Sequence, residues 1–317
     1  MKLSHYIGLK LFSGIPLVLG VTFVSFLLMV YFGPDKTFEL LGKNPSAEQV
    51  AEVRAQLGYD QSFLLRYVAY LESLASLDLG LSESTGERVS GLLARTLPVS
   101  LALVLPGFII GNLMGILLGM AAAWHRGRWL DRLIMSASVV GMSISFLVII
   151  IVLQVVLCTP WGVNWFPARG WEVHDVRSYL YYVTVPTLAL VFVTLGYNTR
   201  FYRAVMTAEL DRDHIRTAIA YGASGAELLF RHVLKNSLSP LLTRIMFSVP
   251  LVIVSGSLLM EAYFGIPGIG KATFEAITSG DQPVLKAVVG LTAVLFVAAQ
   301  LLIDILYRLV DPRVAET

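Results

Sequence analysis

Long uncharged apolar runs alternate with short polar stretches along almost the whole chain. Two of them, Leu11–Phe32 and Pro98–Ala123, carry no charged side chain at all. Further runs cover Leu133–Leu157, roughly Ser178–Thr199, Leu238–Met260 with Arg244 near one end, and Pro283–Tyr307 with Lys286 and Asp304 near its ends. A hydrocarbon layer of about 30 Å takes roughly 20 helical residues to cross, and each run is long enough. The pattern predicts six transmembrane helices. Arg308 stands four residues after Asp304, a helical spacing that permits an ion pair.

Between the first two runs, Gly33–Leu97 keeps a helical rhythm. Ser46 and Gln49 form a capping-box pattern, with Val50, Val53 and Leu57 repeating behind it. Phe63, Leu64, Tyr67, Val68, Leu71 and Leu74 make a second apolar stripe, and a third short helix is expected from about Glu87 to Leu97. Such pieces are too short to stand alone in water, so they are expected to pack as a small helical lid, or scoop.

A different pattern precedes the fifth run, in RTAIAYGASGAELLFRHVLKNSLSP from Arg216 to Pro240. Arg216–Tyr221 reads as the end of a helix, and Gly222 is the residue type that best takes the left-handed conformation closing one. Ser224 and Glu227 then form an S-x-x-E capping box that starts a second helix, with Leu228, Leu229, His232 and Val233 along one side and Glu227, Arg231 and Lys235 beside them. Pro240 is placed in the first turn of the fifth span, where a missing N–H does little harm. Arg200, Arg203, Arg212 and Arg216 would suit a connector lying against anionic headgroups; the short, mixed-charge, sharply cornered pattern suits a rigid knob that fits a soluble partner.

Composition agrees with a membrane protein: 56% of the 317 residues are hydrophobic and 15% charged, with a mean hydropathy of +0.71. The first run is too long for a signal-peptide core and reads as a retained helix. Cys158 is the single cysteine and the five histidines are scattered, so neither a disulfide nor a metal site is expected. A net charge of +2 gives no reason to expect nucleic acid. Lys and Arg set the orientation. The side of the termini holds 14 of the 24, against 9 on the other side, and Trp124–Arg132 packs three Arg into nine residues. Both termini are therefore expected in the cytoplasm. The outer segment Gly33–Leu97 is acidic, nine carboxylates against six bases.

Those motifs, taken in order, resemble the permeases of binding-protein-dependent ABC importers, closest to the dipeptide/oligopeptide/nickel subfamily. R-T-A-x-A-x-G followed eighteen residues on by Pro240 is similar to their coupling, or EAA, loop, with Arg216-Thr217-Ala218 where the general pattern has Glu-Ala-Ala, and with Asp213 and Glu209 the nearby acids. PSAEQVAEVRAQLGYDQSFLLRYVAYL, LDLGLSESTGERV, RGRWLDRLI, FGIPGIGKATFEAI and LVDPRV extend the resemblance over nearly the whole chain. The third run reads GMSISF where that pattern has a proline after the second small residue, which leaves the shape of this helix open.

The resemblance implies an all-α membrane protein with the type I permease fold. It divides into a first helix at 1–32, an extracytoplasmic scoop at 33–97, and a five-helix core at 98–317 with its coupling loop at about 200–240. Asp213, Arg216, Thr217, Ala218, Gly222, Ser224, Glu227 and Arg231 would carry the coupling to ATPases. It further implies a second homologous permease, two cytosolic ATPase subunits that bind the ATP and Mg, an extracytoplasmic solute-binding protein, and a place in the bacterial inner membrane. The expected cargo is a peptide or peptide-like solute, and no cofactor is expected on this chain. Polar residues inside the runs, Asn112, Ser143, Ser145, Gln154, Ser248, Ser255 and Ser257, are the candidates for the pathway, although such residues serve more readily as hydrogen-bonded glue between helices.

One motif points elsewhere. Gly265-Ile266-Pro267-Gly268-Ile269-Gly270-Lys271 fits G-x-x-x-x-G-K, the opening of a phosphate-binding loop. Ala272 replaces the hydroxyl that would hold Mg²⁺, and the motif follows a membrane run rather than a buried strand. It is read as a Gly/Pro-rich turn at the outer mouth of the pathway, with Gly265, Pro267, Gly268 and Gly270 shaping it. A secondary transporter or channel is the alternative, but inverted repeats and mid-span charges are missing. A membrane protease would need a motif such as H-E-x-x-H, which the chain lacks.

Overall fold

The computed structural model describes residues 3–33, 37, 41 and 45–310, with the side chains of 3–7, 9–11, 251, 254, 255 and 307–310 outside the described set. Within these limits the secondary structure is helical. The elements are α1 (Leu3–Phe32), α2 (Ala47–Gln56), α3 (Phe63–Ser76), α4 (Val89–Trp124), α5 (Trp129–Ser143), α6 (Phe146–Cys158), α7 (Val176–Leu210) and α8 (Asp213–Ala220). A single turn, Gly225–Glu227, runs through a π-helical segment, Leu228–Leu234, into α9 (Lys235–Leu251). A second π segment, Val252–Gly256, leads to α10 (Ser257–Phe264), followed by α11 (Ile269–Ser279) and α12 (Gln282–Val310). The chain divides into two compact units, one built on Leu97–Lys271 with the end of the last helix from Ala298, the other on the described residues up to Thr96 with Ala272–Val297.

In the first unit α4 and α7 meet along a row of glycines. Gly107, Gly111, Gly115 and Gly119 recur every fourth residue on one face of α4, and a Cβ at these positions would meet Leu190, Thr194, Asn198 and Tyr202 in turn. At Gly119 it would lie 2.9 Å from the Tyr202 Cβ and 3.0 Å from the Arg203 backbone nitrogen, so nothing larger than hydrogen fits. Two rows of spacing four thus mesh, as small residues allow inside a bilayer where the hydrophobic effect cannot drive helices together. Both rows ascend together, so α4 and α7 run parallel. The α5–α6 pair must then carry the chain back between them.

Asn112 makes the seam specific. Its Oδ1 accepts from Asn198 Nδ2 at 3.0 Å and from the Tyr202 hydroxyl at 2.5 Å, while its Nδ2 donates to the Phe108 carbonyl at 2.8 Å. All three side chains are buried, so each polar group finds its partner inside the protein. Around the seam, Leu103, Val104, Ile149, Ile150, Val183, Leu190, Met260 and Phe264 form one apolar core.

The second unit is built on aromatic packing. Tyr67 and Tyr70 of α3 are buried against α1: the Phe26 and Tyr70 rings stack with centroids 5.4 Å apart, and Phe23 meets Tyr67 edge-on at 5.2 Å. The Tyr67 hydroxyl donates to the Leu19 carbonyl at 2.9 Å and lies 3.0 Å from Thr22 Oγ1, and the Tyr70 hydroxyl donates to the Lys286 carbonyl at 2.8 Å. Asp281, fully buried ahead of α12, accepts from the hydroxyls of Ser82 at 2.6 Å and Ser84 at 2.8 Å, and from the N–H groups of Ser84 and Val284. The Ser46–Gln49 capping box forms as expected at the head of α2.

Several expectations change. Four helices among the described residues are each long and apolar enough to cross a bilayer, five if the bent pair α5–α6 counts as one, and the remaining expected span, Leu238–Met260, is divided among α9, a π segment and α10. The third run bends by 97° at Ser143–Ser145 without the proline. There Ile144 and Ser145 are extended, and the Ser143 hydroxyl takes the Val139 carbonyl, a back-bond that competes with the helix ladder. The fifth run is divided at Val252–Gly256, just after Pro250, which cannot donate to the ladder. Pro240 lies inside α9 rather than in the first turn of a helix, because helical structure already begins at Gly225. The short helix expected at Glu87–Leu97 is the head of α4, which passes through Pro98 and Pro106 unbroken. On α3, Leu64 and Val68 are exposed, because the face turned to α1 is the aromatic one. The Arg308 side chain of the suggested pair with Asp304, the C-terminal LVDPRV from Asp311 on, and much of 34–44 lie outside the described residues.

Asp281 yields a pH prediction. Burial alone would push its carboxyl up, but the hydrogen bonds from Ser82, Ser84 and Val284 favour the charged form more and hold it below the ordinary value. A depressed carboxylate stabilises the fold at every pH above its unfolded value of about 3.9 and loses that contribution as pH falls through the native value. Amide exchange at Ser84 and Val284 is expected to stay slow down to about pH 4 and to accelerate below it, whereas Asp281→Asn is expected to show accelerated exchange already at neutral pH. Equal protection in the variant and the parent at pH 7 contradicts this.

Candidate functional site

The corner at 213–236 is closed by backbone geometry. The Gly222 N–H donates to the Ile219 carbonyl at 2.9 Å and the Ala223 N–H to the Ala218 carbonyl at 3.1 Å, with Gly222 at φ 81°, the paired bonds of a Schellman cap. Nothing lies within 4 Å of where a Gly222 Cβ would stand, so the backbone angle and not crowding calls for glycine. Ser224 caps the next turn, its Oγ accepting from the Glu227 N–H at 3.2 Å. The reciprocal half of the expected capping box is replaced: the Glu227 carboxylate accepts from Arg231 at 3.0 Å. The helix that follows is π-type from Leu228 to Leu234.

One face of this corner is rooted. Ile215, Ala218, Leu228 and Val233 are buried with Met120 and Ala123 of α4, Tyr202 and Met206 of α7, and Leu241 of α9. A Cβ on Gly225 would press against the Trp124 ring at 3.1 Å. Polar joints reinforce the root. Buried Glu209 at the end of α7 accepts from Arg212 at 3.0 Å and lies 3.3 Å from His214, whose ring is 3.2 Å from the Asn236 amide. Arg203 grips Asp131 with two parallel bonds of 2.5 and 2.6 Å, and the Gly127 N–H adds a third at 2.9 Å. Arg126 reaches Asp211 at 2.8 Å. Arg203 and Arg212 are thus engaged by carboxylates of the chain, not held out for lipid headgroups.

The opposite face is open. Tyr221 is 88% exposed, and Ile219, Phe230, Asp213 and Arg216 are exposed as well. Asp213 and Arg216 approach at 3.4 Å, a surface pair of little energetic weight. Between α8 and the π segment lies a cleft of about 520 Å³ lined by Thr217, Ala218, Gly222, Glu227 and Arg231, with His214 and Tyr221 at its edges. Five of the eight residues proposed from sequence therefore share one concave surface.

The pathway candidates are not gathered this way. Asn112 sits in the α4–α7 seam. Ser143, Ser248 and Ser257 bond to carbonyls of their own helices, at 2.8, 2.6 and 2.6 Å. Ser145 opens α6 without a side-chain cap bond, and Gln154 donates to the Ala168 carbonyl at 2.6 Å. The side chain of Ser255 lies outside the described residues.

The G-x-x-x-x-G-K segment wraps a carboxylate from its own chain. Glu261, fully buried in α10, accepts from the Lys271 N–H at 3.1 Å, and beside it the Ser100 hydroxyl oxygen accepts from the Ile269 N–H at 2.7 Å. Gly265 closes α10 at φ 72°, and Gly268 and Gly270 leave room for the Glu261 carboxylate and for Leu258. The Ile269 and Lys271 N–H groups, which would meet a phosphate at this helix start, are taken from within. Sequence reading treated Glu261 as the first residue of an outer loop and missed this role, as it missed Asp131, Arg203, Asn198 and Tyr202. The recurring G-x-x-x-G on α4 was the available signal for the seam.

The chain matches the family described as binding-protein-dependent transport system inner membrane component over residues 115–316, and that family's N-terminal region over residues 4–104. It is 33% identical to a Brucella abortus (strain 2308) protein provisionally named a peptide transport system permease, over 95% of this chain and 96% of that one. It is 30% identical to the dipeptide transport system permease protein DppB of Bacillus subtilis (strain 168), over 98% of both chains. The oligopeptide transport system permease protein AppB of the same organism is also 30% identical, over 98% of this chain and 99% of that one.

The Asp131–Arg203 joint is testable by a double-mutant cycle in thermal unfolding. Because a lone buried charge costs more than a missing pair, Arg203→Ala, which leaves the buried Asp131 unpaired, is expected to destabilise by about 3–5 kcal/mol and to unfold at a lower temperature than Asp131→Ala/Arg203→Ala. Strictly additive effects contradict the joint.

Proposed function

The chain belongs to the binding-protein-dependent transport system inner membrane components, and from that premise we propose that it is the permease subunit of a peptide importer powered by separate ATPases. Its partners in this reading are a second homologous permease, two cytosolic ATPase subunits that bind ATP and Mg, and an extracytoplasmic binding protein that delivers a peptide or peptide-like solute. The chain crosses the inner membrane six times with both termini in the cytoplasm. The bent pair α5–α6 makes one crossing and the run from α9 to α10 another. The relatives' names support the cargo class.

The observation that carries the reading is the two-faced corner at 213–236. A knob rooted on one side in α4, α7 and α9, and presenting Arg216, Ile219, Tyr221 and a cleft on the other, suits the transfer of force from a soluble neighbour into a helix bundle. ATP-driven closure of the ATPases moves the knob, the knob moves α7 through the Glu209 and Asp131–Arg203 joints, and the bundle rocks between inward and outward openings. Energy enters only as the difference in the knob's contacts with two ATPase states. Asn112, Ser143, Ser145, Gln154, Ser248, Ser255 and Ser257 remain the proposed polar positions along or beside the pathway, and the loop at Gly265–Gly270 its outer border.

Gly222→Val tests this. Left-handed backbone strains a β-branched residue by roughly 1–2 kcal/mol, and the open space around Gly222 isolates that strain from any clash. In proteoliposomes containing the full transporter and its binding protein, peptide uptake per ATP hydrolysed is expected to fall about five- to thirty-fold while the subunit still assembles, since strain of this size shifts a two-state balance about that far. A parent-like ratio sinks the proposal.

A further inference from the structure

The second unit contains a cleft of about 400 Å³ that the corner does not use. Phe26 and Tyr70 give it an apolar floor, and Tyr59 stands in its wall. Two half-buried cations enter it, each held by a ring: the Arg66 guanidinium lies 5.0 Å from the Tyr59 centroid, and the Lys286 Nζ 5.5 Å from that of Phe26. Arg66 makes no ion pair among the described residues. The exposed carboxylates of Asp78 and Glu83 also line the cleft.

A guanidinium stacked on an aromatic ring, half withdrawn from water and without a carboxylate of its own, presents a fork that suits a planar carboxylate. The second cation strengthens that preference. Acids in the same cleft suit an ammonium group, and the aromatic floor suits an apolar side chain placed between the two charges. The structure points to a ligand that carries both charges and fits a cleft of about 400 Å³. We infer that this cleft binds a short zwitterionic peptide, its carboxylate on Arg66 and Lys286 and its amino group toward Asp78 and Glu83. The substrate class rests on the reading of the chain as a peptide permease; the charge arrangement does not.

The test is equilibrium dialysis of radiolabelled Ala-Phe against the full transporter in nanodiscs, without the binding protein. Saturable binding is expected, weakened about tenfold or more by amidation of the peptide's carboxyl group or by Arg66→Gln, and only partly restored by Arg66→Lys, which keeps the charge but loses the fork. N-acetylation is expected to weaken it several-fold. Absence of saturable binding to the parent overturns the inference. So does an amide that binds as tightly as free Ala-Phe, a comparison that needs no variant and so cannot be confused with misfolding. Ala-Phe uptake driven by the binding protein in the parent separates the two readings: uptake without cleft binding overturns the cleft alone, and absence of uptake overturns the peptide permease reading.

Discussion

The rest of the first unit depends on the seam of α4 and α7, where four glycines at spacing four meet Leu190, Thr194, Asn198 and Tyr202. Inside a bilayer the apolar side chains of two helices gain little from leaving lipid for each other, so dispersion at short range and a few buried hydrogen bonds must hold them. Glycine provides the first and Asn112 the second. The order of the contacts also shows direction: both rows ascend together, so the two helices run parallel. That in turn requires the bent α5–α6 pair to return the chain.

The seam continues into the corner. Tyr202 closes the hydrogen bonds of Asn112 and also lies in the apolar root under Ile215 and Leu228. The next residue, Arg203, grips Asp131 on α5. At the end of the same helix Glu209 and Asp211 tie down Arg212, His214 and Arg126. A displacement of the corner therefore acts on α7 through packed side chains and charge-assisted bonds, with no flexible loop between. Interiors packed this tightly respond by switching between arrangements more readily than by stretching, which is what a rocking permease needs.

Local signals were legible in the sequence. The Ser46–Gln49 box, the Gly222 corner and the Ser224 cap each depend on residues within a few positions, and each formed where the letters placed it. The apolar runs were equally plain, although their breaks were not: a back-bonding Ser143 and a π segment after Pro250 leave no periodic trace. Features that pair distant positions were invisible. Asp131 and Arg203 are 72 residues apart, and nothing near Asp131 indicates its partner. Glu261 follows Met260, where the fifth apolar run ends, and the Lys271 N–H it accepts from belongs to a glycine-rich turn ten residues on whose letters suggested phosphate. On α3 the exposed Leu64 and Val68 were indistinguishable in hydrophobicity from the aromatic face that packs.

The account's central claim is that α4 and α7 move as one body when the corner is driven. Spin labels on the exposed positions Leu117 of α4 and Tyr197 of α7, in the complete transporter in nanodiscs, measure this directly. The distance distribution between them is expected to be the same in nucleotide-free and ATP-trapped states. A shift or a splitting of that distribution with nucleotide state would mean that the helices slide along the glycine seam, and the account would be wrong.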